Sequence, residues 1–137
     1  MSVWPETLPV TPSLSTPEGA LVSVSVHVEP HYLESLLEAL ALVGFPINPQ
    51  IYHDAAMVYR YADGHTRTEA VTLVEFPACE GRLEEVRRAV QAYGFPPDCI
   101  HTIGMLDEIQ SGPRPEPAPE GAAYVSRYRI KHRPAVV

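Results

Sequence analysis

The strongest constraint on this chain is a repeat with a period of 50 residues. Leu36-Leu37-Glu38-Ala39-Leu40-Ala41-Leu42-Val43-Gly44-Phe45-Pro46 returns in pattern as Val86-Arg87-Arg88-Ala89-Val90-Gln91-Ala92-Tyr93-Gly94-Phe95-Pro96. In each copy an amphipathic run ends in Gly-Phe-Pro, a glycine suited to a helix C-terminus followed by a proline that cannot continue the helix. An extended run precedes and follows each copy. Two strand–helix–strand halves in about ninety residues predict a βαββαβ unit.

The residues around the repeat support that reading. Val22, Val24, Val26 and Val28 alternate with Ser23, Ser25 and His27, which places four valines on one face of a first strand and the polar residues on the other. Pro30 suits the first turn of a helix, and Leu33, Leu36, Leu37 and Leu40 form one apolar stripe along it. Gly44 is placed for a left-handed cap. Extended stretches from Gln50 to Tyr61 and Thr66 to Phe76 flank Asp63-Gly64, a strong turn signal, and predict a hairpin. A second helix is expected over Gly81 to Tyr93 with Leu83, Val86, Val90 and Tyr93 facing in, and a fourth strand over Ile100 to Leu106. The fold class expected is α+β, a ferredoxin-like βαββαβ sandwich: a four-stranded antiparallel sheet with two helices on one face, strands ordered 4-1-3-2.

Outside this unit the composition changes. Residues 1–20 carry Pro5, Pro9, Pro12 and Pro17 among Ser and Thr and read as an extended arm. The domain runs over 21–110, a proline-rich linker over 111–121, and a basic strand or tail over 122–137. Up to Glu120 the chain has six basic and 17 acidic residues, a net −11; Arg127, Arg129, Lys131 and Arg133 give the remainder +4. Tyr124, Ser126, Tyr128 and Ile130 alternate with Val125, Arg127, Arg129 and Lys131, the pattern of an added edge strand, expected to reach a neighbouring subunit.

The charge balance excludes general nucleic-acid affinity as a partner class. No stretch approaches the roughly 18 consecutive apolar residues that span a bilayer. The beginning of the sequence has no basic leader with an apolar core, and Cys79 and Cys99 have no metal or redox spacing, so a cytoplasmic, reduced protein is expected. Hairpin strands with apolar residues on both faces, such as Val71 and Leu73 opposite Thr72 and Val74, predict burial on both sides and hence a homodimer or homotrimer.

Candidate chemistry is sparse. A divalent transition metal is the one cofactor suggested, with His27, His53 and His101 as its ligands: His27 and His101 fall on neighbouring strands of a 4-1-3-2 sheet, and neutral imidazoles suit zinc or copper. On the hairpin, Tyr59, Tyr61, His65 and Arg67 form the candidate small-molecule site. No phosphate loop, nucleophile elbow or acid–base pair stands out, and no catalytic residue is assigned.

The Val-rich first strand running into Glu29-Pro30-His31-Tyr32-Leu33-Glu34, with the hairpin tip Asp63-Gly64-His65-Thr66, resembles the PII signalling-protein superfamily, including the divalent-cation tolerance proteins, over residues 21–109. The resemblance implies trimers with ligands or metals in clefts between subunits near the hairpin, and directs attention to His65. The chain lacks the basic phosphate-gripping residues that nucleotide-binding members carry near their last strand. Three functions are consistent with these readings: a non-catalytic, oligomeric small-molecule- or metal-binding regulator with an interface site; a dimeric α+β-barrel enzyme whose pocket holds His27, His53, Tyr59 and His101; and an assembly module acting through its C-terminal strand.

Overall fold

The computed structural model describes residues 15–17, 19–105 and 115–132. Its strands are β1 (Ser15–Thr16), β2 (Gly19–Val28), β3 (Gln50–Arg60), β4 (Thr66–Cys79), β5 (Ile100–Gly104), β6 (Glu116–Pro117) and β7 (Ser126–Ile130). Its helices are α1 (Leu33–Leu40) and α2 (Leu83–Ala92), each led in by a single 3-10 turn, Pro30–Tyr32 and Glu80–Arg82. No described helix is long and apolar enough to cross a membrane.

Strand β2 lies between β4 and β5, pairing Val26 with Val74 on one side and with Ile100 on the other. Strand β3 pairs with β4 through a hairpin closed at Gly64, whose φ of 92° favours glycine. Every pairing is antiparallel, and the order β5-β2-β4-β3 is the 4-1-3-2 arrangement of the two half-units. The four valines of β2 point to the helices as their alternation requires. They pack with Val74, Phe76, Leu36, Leu40, Val86, Val90 and Cys99 in the principal core.

The sheet has more strands than the four-plus-one expected. Beyond β3 lie β7 and then β6, and β1 folds back on the start of β2. The C-terminal strand does not reach for a neighbour: it pairs with β3 of its own chain, Met57 opposite Arg129 and Tyr59 opposite Arg127. The sheet curls until its two edges meet, with Arg127 donating to the Asp98 carbonyl at 2.7 Å. Its second face holds a smaller core of Ala55, Met57, Val71 and Leu73, with Tyr52 and Tyr59 packed against it. Burial on both faces was legible from the hairpin sequence, but its cover comes from within the chain and needs no second copy.

The two repeat copies end differently. After α2 the Phe95 N–H reaches the Val90 carbonyl at 3.3 Å, and Gly94 takes φ 90°, the left-handed cap expected at Gly44. Helix α1 stops earlier, at Leu40, and Gly44 is not among the positive-φ glycines. Its N–H instead donates to the Glu85 carboxylate, which also accepts from Arg82 at 3.0 Å. Tyr93, expected to face in, is exposed.

Candidate functional site

At the end of β2 that leads into α1, the sheet, the start of α1 and the loop after α2 leave a cleft of about 560 Å³. Strand β2 contributes His27 and Val28, with Glu29 following; β4 contributes Glu69 and Val71. Tyr32 and Ser35 come from the start of α1, and Tyr93 to Pro96 from the turn that Gly94 permits. Tyr32 and Phe95 meet edge to face, with ring centroids 6.4 Å apart. The lining therefore combines aromatic surface with the carboxylates of Glu29 and Glu69, the latter within 3.3 Å of the Tyr59 hydroxyl.

His27 forms the floor and is fully committed. Its Nδ1 accepts from the Arg129 guanidinium at 3.2 Å, and the ring also hydrogen-bonds the backbone of Cys99. Burial, reinforced by Arg129 and Arg127, lowers its pKa to about 3, so the imidazole is neutral at physiological pH. With Nδ1 taken by Arg129, it has no free lone pair to bind a metal or to take a proton. Cys99 is similarly quiet: burial, with help from Asp98, pushes its thiol up to about 11.

Behind His27 the edges of the curled sheet are joined by charge. Glu116 lies 2.7 Å from His101 Nδ1 and accepts from Arg127 Nε at 2.7 Å and from Arg129. Burial would raise the Glu116 carboxyl, but the His101 hydrogen bond and the Arg129 and Arg127 guanidiniums outweigh it and hold it well below the usual carboxylate range. Lys131 also pairs with Glu75, at 3.0 Å. Pairing buried charges in this way favours one arrangement of the two edges, with Arg129 Nε left buried and without a hydrogen bond.

The sequence candidates divide accordingly. Tyr59, Tyr61, His65 and Arg67 do come together near the tip of the hairpin, on two rungs separated by the Arg60–Thr66 pair: Tyr61 stacks on His65 with ring centroids 4.4 Å apart, and Arg67 sits 5.9 Å from the Tyr59 ring. Tyr59 turns inward toward Tyr124 and Glu69 and has its hydroxyl pKa raised, first by burial and then by Glu69. The metal candidates do not converge. His27 is held by Arg129, His101 by Glu116, and His53 is exposed at an irregularity in β3 between Tyr52 and Ala55. Among the described residues no group of three or more His, Cys, Asp or Glu is placed to hold a metal ion. Nor do His27, His53, Tyr59 and His101 enclose a pocket over the sheet, since Met57, Leu73, Arg127 and Arg129 occupy that face.

Sequence reasoning missed the cleft residues Glu69, Tyr32, Tyr93 and Phe95, and the charged partners Glu116, Arg127 and Arg129. The alternation of Arg127 and Arg129 was visible. That this face turned inward was not, because a local pattern does not say which sheet edge a strand will join.

No family model matches the chain, and no curated protein matches it. Among solved structures it is similar to the B. subtilis GlnK–ATP complex, with 15% identity and a TM-score of 0.45 over 61% of this chain and 81% of that one.

Proposed function

We propose that this chain is a non-catalytic, small-molecule-binding regulatory protein of ferredoxin-like, PII-type architecture, cytoplasmic and oligomeric, with its ligand site in the cleft at the His27 end of the sheet. The observation that carries the reading is the cleft itself, which lies beside an open strand edge. Strand β2 stops pairing with β4 at Val28 opposite Thr72, so residues 66–71 of β4 pair only with β3 among the described residues. Tyr61 N–H donates to the His65 carbonyl at 2.9 Å, and the antiparallel alternation from that pair turns the backbone groups of Thr66, Thr68 and Ala70 away from β3. An edge of this kind is a template for a second chain. A copy added there would wall the cleft on the side of Glu69 and Val71, giving an interface site. Binding is favoured over catalysis because the imidazole in the cleft is neutral and engaged and the thiol beside it is held protonated.

Native mass spectrometry of the untagged full chain at micromolar concentration tests the reading. A dimer or trimer is expected, and Thr68→Pro, which removes an outward N–H without costing a ladder bond to β3, is expected to give a folded monomer. A monomeric wild-type chain would overturn the interface site.

A further inference from the structure

We infer that the cleft takes a small organic cation, an ammonium or quaternary ammonium group carried on an apolar skeleton; the inference rests on the reading of this cleft as the ligand site. Its lining contains two carboxylates, Glu29 and Glu69, and no lysine or arginine. Arg129 lies behind the His27 ring, donates to it, and has a side chain only 8% exposed, so its charge is spent on Glu116 and not offered to the cleft. Tyr32 and Tyr93 are 46% and 40% exposed, which leaves ring surface free for contact. Aromatic faces attract cations through their quadrupole, and each such contact adds to whatever a carboxylate contributes.

The two halves of the lining need each other. Exposed carboxylates alone bind cations weakly, because water screens the charge and the side chains lose freedom. Aromatic and aliphatic walls alone do not discriminate charge. A ligand that places a cation between Glu69 and the tyrosine rings, with its skeleton on Val71, Phe95 and Val28, uses both. The volume of about 560 Å³ falls in the ordinary range of small-ligand sites. An anion of the same shape would face two carboxylates with no lysine or arginine in the lining to meet it, and the net −11 of the chain up to Glu120 opposes its approach.

Isothermal titration of the full chain with three near-isosteric probes decides the point: phenethylamine, phenethyl alcohol and hydrocinnamate, which are cationic, neutral and anionic at neutral pH. Saturable binding is expected for the amine, at least about tenfold tighter than for the alcohol, with hydrocinnamate weakest. Glu69→Gln, which keeps a partner for the Tyr59 hydroxyl, is expected to weaken the amine by about tenfold and leave the alcohol unchanged. Tyr93→Ala, at an exposed position, is expected to weaken the amine and the alcohol alike, with circular dichroism confirming the fold. Alcohol or hydrocinnamate binding as tightly as the amine, and weakened by Tyr93→Ala, would overturn the cation class while the ligand site stands. Failure of all three probes to bind would overturn the cation class and the ligand site together.

Discussion

His27 shows what one residue gains from its surroundings. The alternation of β2 places it opposite the valines, with Ser23 and Ser25, and that much is legible in the sequence. Its partner Arg129 lies 102 residues away, and no local pattern specifies that meeting. Burial, assisted by the arginines, depresses its pKa from 6.5 to about 3, so below pH 6.5 the unfolded chain takes a proton that the folded chain refuses. Stability is therefore unaffected above that pH and falls as pH drops toward the folded value, by up to about 1.4 kcal/mol per unit from this group. Urea unfolding of wild type between neutral pH and about pH 5 is expected to show this slope. In His27→Asn, whose carbonyl can still accept from Arg129, the slope is expected to vanish at a cost of about 1–2 kcal/mol at neutral pH.

At the scale of elements, the repeat foretold two helices and their stop signals but not that the two glycines would do different things. Gly94 holds a left-handed backbone with open space where a side chain would go. Gly94→Ala therefore strains the backbone without a clash, and a loss of about 1–2 kcal/mol is expected in thermal or urea unfolding. At Gly44 a Cβ would meet the Glu85 carboxylate at 2.9 Å and an Arg82 guanidinium nitrogen at 3.3 Å, both ends of flexible side chains. Gly44→Ala is expected to cost less, under about 1 kcal/mol, through the lost Glu85 contact. Sequence symmetry alone would make the two substitutions equal. The valine alternation and the Asp63-Gly64 turn were legible because strands and tight turns are local. The places of β6 and β7 were not, because edge choice is settled by long-range pairing.

For the whole molecule, the curl of the sheet is held by few residues. Glu116 faces Arg127, Arg129 and His101, and removing its charge leaves two guanidiniums with their nearest carboxylate gone. Glu116→Gln is expected to cost about 3 kcal/mol in urea unfolding, the usual scale for breaking one side of a buried ion pair. In wild type, protonation of Glu116 in the unfolded chain costs nothing above its ordinary value of 4.5 and erodes stability only as pH falls below it, so its acid loss follows that of His27. A chain ending at residue 114 would lack β6 and β7 and uncover Met57, Val71 and Leu73; dye binding and self-association on gel filtration are the expected signs. The order of synthesis gives this dependence a further meaning. The main core is complete once β5 has emerged from the ribosome, but the second face stays wet until the segment around residue 130 follows it. A chain that has emerged only as far as β5 thus carries a sticky patch whose cover is still inside the ribosome, and any delay in that interval favours contact between nascent neighbours over closure within one chain.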